Sequence, residues 1–496
     1  MITARSASEL ARAIRQRELT AVDVVAAHVN LHRQFAPRIN AVVAERFDRA
    51  LDDAAAADAR VASGGELPPL LGVPFTVKET IAVEGMPQSA GLVARREYRA
   101  PSNAPTVQQL VDAGAIPLGV TNTSELTLWI ESDNKLYGRT SNPYDNSRTA
   151  GGSSGGEGAA VGCGGSPFGL ASDIAGSIRV PALFCGVFGH KPSSGLVCND
   201  GMWPPTEGES GLMLGVGCLA RRGEDLMPLL EVLAGRPLGV PSDVSLNGLT
   251  VTTVEEASRA AISEELRDAR ERAVGALLAA GAEVKRVHLR SWRRAVAPYL
   301  ARLQAGSNSS HPTLKLLEES GEERPSLRSL LRRSERHTAP ARIALAAELL
   351  PERRRPPRRA LRAADALVSE LLEAIGDGVL LHPAHPRPAP HHGRTLGRPW
   401  LLTPAAIFNL AGVPVTEVPL GLSETGLPVG VQVAAGAGRD DVAIAVALEL
   451  ERVFGGWVPP LGSAGVRAGV VDKSDTYRRF YRQPPRRRLA PPPHEG

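Results

Sequence analysis

The stretch "TAGGSSGGEGAAVG" spans residues 149–162 and decides how the rest of the chain is interpreted. It places five glycines and two adjacent serines, Ser153 and Ser154, within the ten residues that end at Ala159. Side chains this small contribute little to a hydrophobic core. The pattern therefore predicts either a flexible glycine loop or a site at which a serine hydroxyl takes part in chemistry, and the flanking sequence must decide.

Two chemical interpretations of this stretch fail on their surroundings. A phosphate-binding loop requires the lysine of GxxxxGK[ST], which is missing here. A nucleophile elbow fits the spacing GxSxG around Ser154, but an elbow must follow a buried strand directly. The preceding segment, "SNPYDNSRTA" at 141–150, is polar and typical of turns. The motif alone therefore favours a glycine loop over a nucleophile at Ser154.

Several separated motifs together resemble the amidase signature family. They are "GVPFTVKE" at 72–79, "GGSSGGEG" at 151–158, "DIAGSIRVP" at 173–181 and "FGHKPSSG" at 188–195. Within that family the resemblance extends to the fatty-acid amide hydrolases through "GMPQSAGL" at 85–92, "ESDNKLYGRTSNPYD" at 131–145, "LLHPAHPRPAPHH" at 380–392, "VPVTEVPLGL" at 413–422 and "FGGWV" at 454–458. The similarity covers roughly residues 6–462, which makes it far more specific than a single glycine loop.

The resemblance implies a triad of two serines and a lysine. Carried over by position, Ser177 is the nucleophile, Ser153 is the bridging serine that follows a cis peptide bond, and Lys78 is the base. The resemblance also implies an oxyanion hole formed by backbone N–H groups, those of Ile174, Ala175, Gly176 and Ser177. Ser154 is then a structural residue of the loop, and no cofactor or metal is expected.

This assignment agrees with elementary chemistry. A serine hydroxyl is a weak nucleophile and needs an adjacent base. Lysine can act as that base only when it is neutral, and burial favours the neutral form. Lys78 ends the apolar run "PFTVK", where such burial is expected. Asp173 and Arg179 flank the nucleophile and are predicted to order its loop rather than to catalyse.

One residue departs from the family pattern. The family usually has two glycines before the nucleophile, and the first of them is Ala175 here. If this position requires a positive φ, alanine is strained by about 1 kcal/mol or more. We therefore expect a strained oxyanion hole and a slow enzyme, in which Ala175→Gly would raise kcat.

The order of elements along the chain predicts an α/β fold. Two capped helices open the chain, at Ser6 and Thr20, and helix and strand then alternate through "TVQQLVDAGAIPLGVTN", which suggests a mostly parallel sheet. Together with the resemblance, this predicts a large twisted mixed sheet covered by helices on both faces. We expect an amidase domain over 1–462, with a catalytic core at about 70–220, a helical, charged region at about 236–375, and a disordered basic tail at 463–496.

Composition limits location and partners. No run of 18 apolar residues and no secretory h-region occurs, and the four cysteines form no CxxC pair, which predicts a reduced, intracellular protein without a membrane-spanning segment. The chain begins near the first capped helix, so the hydrophobic N-terminal span of the fatty-acid amide hydrolases is not expected. The net charge of +4 comes from Arg-rich clusters without a nucleic-acid-binding motif, so nucleic acid is not expected as a partner. Contact with a lipid surface through residues 290–360, and a homodimer, both stay open.

The histidines of "HPAHPRPAPHH" invite a metal interpretation. His382 and His385 stand three apart, but the intervening prolines forbid a helix that would place them on one face. A pocket wall or a loop with satisfied hydrogen bonds is the better prediction, and no metal is expected.

Three functions stay open at this point. The leading one is a serine hydrolase that cleaves fatty-acid amides to free fatty acid and amine. The second is an amidotransferase subunit that releases ammonia from glutamine, which requires partner subunits and a polar pocket. The third is an amidase-fold scaffold with weak or no activity, kept open by Ala175 and the basic insert. Neither the preferred amide nor the oligomeric state follows from the sequence.

Overall fold

The computed structural model describes residues 1–206, 208–255, 261–307, 312–332, 334–349 and 356–460. Thirteen strands lie in these segments: β1 Val42–Glu45, β2 Pro74–Lys78, β3 Ile116–Thr121, β4 Asp133–Asn134, β5 Gly138–Arg139, β6 Phe168–Asp173, β7 Phe188–Lys191, β8 Gly215–Ala220, β9 Thr250–Glu255, β10 Glu283–His288, β11 Val379–His382, β12 Val415–Leu422 and β13 Pro428–Ala435. The predicted tail at 463–496 lies outside the described residues.

The α-helices of the same segments surround these strands. They are α1 Ala7–Arg15, α2 Ala21–Ile39, α3 Phe47–Ser63, α4 Pro105–Asp112, α5 Gly155–Gly162, α6 Arg179–Cys185, α7 Leu226–Ala234, α8 Glu264–Ala279, α9 Val296–Gly306, α10 Pro312–Glu319, α11 Leu327–Leu330, α12 Ala339–Glu348, α13 Arg358–Ile375, α14 Thr403–Ala411 and α15 Asp440–Phe454. The first two begin as predicted: Ser6 forms a capping box with Glu9, and the Thr20 side chain accepts from the Asp23 N–H.

Eleven of the strands form one mixed sheet in the order β1-β3-β2-β6-β8-β7-β12-β13-β11-β9-β10. The pairs β2–β3, β2–β6, β9–β10 and β9–β11 are parallel, and the other six are antiparallel. The prediction of a mixed sheet is confirmed, whereas that of a mostly parallel one is wrong. Five of the antiparallel pairs involve the β12–β13 hairpin or β8, which reverses direction between β6 and β7, and the sixth joins the edge strand β1 to β3.

Helices cover both faces of this sheet. Successive residues of a strand point to opposite faces. On β12, Thr416 contacts His190, which in turn contacts Asp440 at the start of α15. Glu417, the residue after Thr416 on β12, lies on the other face, where α6 packs across β12 and β13. The two-sided cover explains why β2, β3, β6, β7 and β8 are buried along their whole length.

The region at 236–375 is less purely helical than its charge suggests. It contributes α8–α13, but also β9 and β10, which form one edge of the main sheet. β10 has the sequence "EVKRVH", whose charged residues are exposed as expected for an edge strand. On α13, Leu367, Leu371 and Ile375 are buried, whereas Leu372 is 40% exposed.

The sheet brings the predicted site residues to one edge. Lys78 ends β2, and Asp173 ends β6, which runs parallel to β2 and pairs with it. Carboxyl ends of parallel neighbours lie at the same edge, so the lysine and the loop that carries Ser177 meet there. Within the described segments, no helix is both long enough and apolar enough to cross a membrane.

Candidate active site

Three side chains form a continuous chain of hydrogen bonds at the edge where β2 and β6 end. Lys78 Nζ donates to Ser153 Oγ over 2.7 Å, and Ser153 Oγ donates to Ser177 Oγ over 3.0 Å. Lys78 and Ser153 are buried, and Ser177 keeps 7% of its surface exposed. The structure thus brings together the three predicted residues, with the predicted nucleophile nearest to solvent.

Lys78 has a second hydroxyl partner that the sequence did not reveal. Its Nζ also donates to Ser172 Oγ over 3.1 Å, on β6 just before Asp173. Burial lowers the pKa of Lys78 to about 7, against the opposing influence of the Asp173 and Glu157 carboxylates. A neutral lysine is therefore accessible near neutral pH, and Ser172 fixes the direction of its amine.

Ser153 is held by its own backbone. The Gly152–Ser153 peptide bond is cis. The Ser153 carbonyl accepts from Thr123 Oγ1 over 2.8 Å and from Ser132 Oγ over 3.0 Å. Ser154 Oγ donates to the Ser172 carbonyl, and helix α5 begins at the next residue. The loop is therefore ordered rather than flexible, and Ser154 has the structural role predicted for it.

A buried ion pair organises the loop that carries Ser177. Arg179 contacts both carboxylate oxygens of Asp173, each over 2.9 Å, and both side chains are fully buried. The same carboxylate accepts from the N–H groups of Gly176 over 2.7 Å and Ile178 over 3.0 Å. Burial alone would raise the pKa of Asp173, but the Arg179 guanidinium holds it well below its usual range. These contacts confirm the loop-ordering role predicted for both residues.

One of the four predicted oxyanion-hole donors, the Gly176 N–H, is already used within the protein. The Gly176 N–H is directed to the Asp173 carboxylate, so it is not available to a substrate oxygen in this arrangement. The N–H groups of Ile174, Ala175 and Ser177 have no hydrogen-bond partner within the described part of the chain. Three of the four predicted donors are thus open.

The expectation of strain at Ala175 is wrong. Apart from glycines, positive φ angles occur in the described segments only at Arg17, Asn40, Ala90, Leu126 and Thr127. The positive φ of this loop, 107°, falls on Gly176. Alanine is therefore unstrained at its position, and its difference from the family pattern gives no reason to expect a slow enzyme.

We expect Gly176→Ala to impair the site. A Cβ at Gly176 would lie 2.5 Å from the Ala405 Cβ of α14 and 3.2 Å from a Val180 methyl group, and the backbone conformation disfavours any side chain. Relief of this clash must move the neighbouring N–H groups, and loss of one oxyanion-hole donor costs about 100-fold or more in kcat. Steady-state kinetics with a soluble amide check this.

Ala175→Gly serves as the comparison for this prediction, because the adjacent position needs no glycine. It is expected not to raise kcat. A wild-type kcat in Gly176→Ala would show that the loop does not need its present conformation.

Apolar side chains pack beside this loop. Met213, Tyr299 and Ala406 form a buried cluster, and the Tyr299 hydroxyl donates to the Ile174 carbonyl over 2.8 Å. Around them pack the partly buried residues Ile174, Ala175, Leu303, Leu402 and Leu410. An open cleft of about 1010 Å³ touches this cluster only at Met213 and Leu410, and its lining also includes the charged residues Glu209, Arg302 and Asp365. The loop is thus backed by an apolar cluster on one side.

The two histidines of the proline-rich segment lie in the core. His382 Nδ1 lies 2.8 Å from the Pro383 carbonyl, and its ring packs against Trp292. His385 Nδ1 lies 2.7 Å from the Arg387 carbonyl, and its ring packs against Phe184. In the described segments, no group of three or more His, Cys, Asp or Glu side chains is arranged to hold a metal ion.

Two further residues of the loop network escape prediction from the sequence. Arg179 donates to Asn409 Oδ1 over 2.6 Å and to Gln432 Oε1 over 2.9 Å. Asn409 lies on α14 and Gln432 on β13, each more than 200 positions from Arg179 in the sequence. Neither residue belongs to the motifs around the serines, so no local signal marks them.

Comparison with known proteins gives consistent matches along the chain. A family model described as amidase matches residues 23–443. Fatty-acid amide hydrolase 2-A of Danio rerio is 41% identical over 477 residues, which cover 92% of this chain and 90% of that protein. Fatty-acid amide hydrolase 2 of Homo sapiens is 39% identical over 478 residues, with the same coverage.

More distant relatives and solved structures extend the match. A glutamyl-tRNA(Gln) amidotransferase subunit of Koribacter versatilis is 31% identical over 468 residues, which cover 89% of this chain and 97% of that protein. A crystal structure of an amidase superposes with a TM-score of 0.78 at 30% identity and covers 91% of this chain and all of that one.

Proposed function

The chain belongs to the amidase signature family and is an amidase, and from this premise we propose that it hydrolyses fatty-acid amides through an acyl-enzyme on Ser177. The observation that carries the proposal is the chain of hydrogen bonds from Lys78 through Ser153 to Ser177. The similarity to fatty-acid amide hydrolases over most of the chain supports the class of substrate.

The acylation step follows from this geometry. Neutral Lys78 accepts a proton from Ser153 Oγ, and Ser153 Oγ accepts the proton of Ser177 Oγ as the latter attacks the amide carbonyl. The new C–O bond moves the carbonyl electron pair onto oxygen, which the open N–H groups of Ile174, Ala175 and Ser177 stabilise. Each transfer spans one of the two short contacts, with the hydroxyls turned so that Ser177 donates to Ser153 and Ser153 donates to neutral Lys78. The nucleophile is thereby activated without an ionised serine at rest.

The second half of the cycle reverses the proton path. The Lys78 proton returns through Ser153 to the amide nitrogen as the C–N bond breaks, and the amine leaves neutral. Water then attacks the acyl group on Ser177, with its proton taken by the same relay. Cleavage of this ester bond releases the fatty acid and restores the Ser177 hydroxyl.

The apolar side chains beside the loop support an acyl chain as the group next to the carbonyl. The cluster of Met213, Tyr299 and Ala406 has only one polar group, the Tyr299 hydroxyl, which is already used by the Ile174 carbonyl. An apolar chain that packs against this cluster gains roughly 0.8 kcal/mol for each methylene removed from water. Glutamine, whose polar atoms would lose their hydrogen bonds to water, is a poorer fit to this cluster.

Chain-length preference tests this function. The purified chain, without any partner protein, is expected to hydrolyse oleamide with a kcat/KM at least ten times that for acetamide or glutamine. A fluorophosphonate probe is expected to add to Ser177, as read by mass spectrometry of the peptide. Activity on glutamine that needs added subunits would instead identify an amidotransferase component, and no activity and no adduct would indicate a scaffold.

We propose an intracellular enzyme that acts on a small lipid amide and needs no nucleic acid. Contact with a lipid surface and a homodimer are compatible with this function but are not required by it.

The pH dependence of catalysis follows from Lys78. Because burial lowers the pKa of this lysine to about 7, it is mostly protonated below pH 7 and mostly neutral above it. Only the neutral form can accept a proton, so we expect kcat/KM to fall about tenfold per unit as pH drops below about 7. A pH profile measured with a soluble amide checks this, and constant kcat/KM between pH 5 and 8 would contradict it.

A further inference from the structure

Glu157 is a buried carboxyl group that the catalytic scheme leaves unused. It lies on α5, four residues after Ser153, and none of its surface is exposed. Thr76 Oγ1 donates to its Oε2 over 2.6 Å, and Thr121 Oγ1 donates to its Oε1 over 2.7 Å. Each oxygen is thus held by one hydroxyl, and no basic side chain of the described segments forms an ion pair with it.

The two threonines connect this carboxyl to β2, which carries Lys78, and to the neighbouring strand β3. Thr76 lies two residues before Lys78 on β2, so their side chains share a face of the sheet. Thr121 is the register partner of Lys78 on β3. On the third strand, a Cβ at Gly169 would lie 1.8 Å from Glu157 Oε2, which shows how closely the carboxyl rests on the sheet. Glu157 therefore occupies the layer next to the lysine.

A carboxyl group in this position is costly, because burial without a cation disfavours its charged form. Burial raises the pKa of Glu157, but the two threonine hydroxyls, each donating to one of its oxygens, and the charge of Lys78 favour its carboxylate form. Three other titratable or charged groups surround this layer. Asp173, which is paired with Arg179, raises the pKa of Lys78 as Glu157 does. Cys218 of β8 has a pKa raised by burial and by Glu157. Two polar residues and a glycine on three strands accommodate this carboxyl.

We propose that Glu157, held by Thr76 and Thr121, is a positioning residue that balances the charge formed on Lys78 when it accepts the proton of Ser153. This inference rests on the function proposed above, because it assigns Lys78 the role of base. When Lys78 becomes an ammonium ion in a buried site, a carboxylate in the next layer offsets that charge without solvent reorganisation. Glu157 touches neither substrate nor Ser177 and acts only through the lysine.

Glu157→Gln tests the proposal, because it keeps the shape of the side chain and removes its charge. Without the carboxylate, Lys78 holds a proton less tightly, so the acidic limb of kcat/KM is expected to move down by about one pH unit. The weaker base is also expected to lower the alkaline plateau of kcat/KM about tenfold. KM should change little, because Glu157 is remote from the apolar cluster.

A matched control separates this effect from loss of a buried glutamate in general. Glu451 of α15 accepts from the Gly223 N–H, is partly buried, and lies outside the site. Glu451→Gln is expected to keep the wild-type pH profile even if it shifts Tm. An acidic limb that stays in place, or moves to higher pH, in a folded Glu157→Gln variant would overturn the proposal.

Two further variants decide the matter if Glu157→Gln does not fold. Thr121→Val removes one donor to the carboxyl, which favours its neutral form and should move the limb in the same direction by a smaller amount. Thr121→Ser restores the hydroxyl and should recover most of that shift. An unmoved limb in Thr121→Val would overturn the proposal. If the proposed function is wrong and Lys78 is not the base, the result differs, because Lys78→Ala would then keep the acidic limb of the kcat/KM profile.

Discussion

Ser177→Ala is expected to abolish amide hydrolysis and labelling by a fluorophosphonate probe. Ser177 Oγ is the end of the hydrogen-bond chain and the only one of its three groups that reaches solvent. A methyl group cannot form the acyl ester, so the loss should reach the background rate, about 10⁶-fold in kcat. Single-turnover assays and intact-mass measurement of the probe adduct check this. Labelling of Ser153 or Ser154 in the variant would contradict the assignment.

Lys78→Ala provides the informative comparison. Loss of the base should lower kcat by several orders of magnitude, but hydroxide can partly replace a base. The loss is therefore expected to be greater at pH 7 than at pH 10, whereas the loss in Ser177→Ala is the same at both. A loss in Lys78→Ala that does not depend on pH would contradict the role of this lysine as base.

Arg179→Met is expected to destabilise the protein by about 3–5 kcal/mol, because it leaves the Asp173 carboxylate buried without its cation. The guanidinium also donates to Ala405, Asn409 and Gln432, so three acceptors lose a partner. Urea denaturation followed by fluorescence measures the change in the free energy of unfolding. The kcat of the folded variant should also fall, because the same carboxylate holds the Gly176 N–H in the loop that carries Ser177.

Two comparisons support the interpretation of this loss. Arg452→Ala removes an exposed arginine paired with Glu449 and should leave the denaturation midpoint unchanged, because surface ion pairs contribute little. The double variant Asp173→Asn with Arg179→Met should recover part of the stability lost in Arg179→Met, because no charge then stays unpaired. Similar losses in the single and double variants would indicate that the ion pair is not the cause.

The sequence predicts the fold best where strands and helices carry a clear apolar pattern. The helices capped by Ser6 and Thr20 both occur as predicted. Three central strands, β6, β7 and β8, are not predicted, because "FGLASD", "FGHK" and "GVGCLA" are rich in small residues rather than in Val, Ile or Phe. Their small residues let α5 and α6 approach closely, as the contact of Gly169 with Glu157 illustrates.

Some features of the site also follow from the sequence, and others do not. Lys78, Ser153 and Ser177 lie in contiguous motifs, so the resemblance alone predicts that they form one site. The direction of single N–H groups does not follow from a motif, which is why the use of the Gly176 N–H by Asp173 and the absence of strain at Ala175 emerge only from the structure. Partners supplied by remote elements, such as Asn409 and Gln432, are beyond local reasoning altogether.

The remote partners of Arg179 also constrain the order in which a newly made chain can mature. Asn409 and Gln432 are synthesised more than 200 residues after Arg179, and β12 and β13 occupy the middle of the sheet, between β7 and β11. The loop that carries Ser177 can therefore reach its final hydrogen bonding only after residue 432 has left the ribosome. Contacts this distant in sequence slow folding, and a nascent chain spends that time with an unpaired β7 edge. Chaperone engagement and ribosome-stalled intermediates are thus expected to involve the exposed β7 strand, and probe-reactive Ser177 should appear only with chains longer than that point.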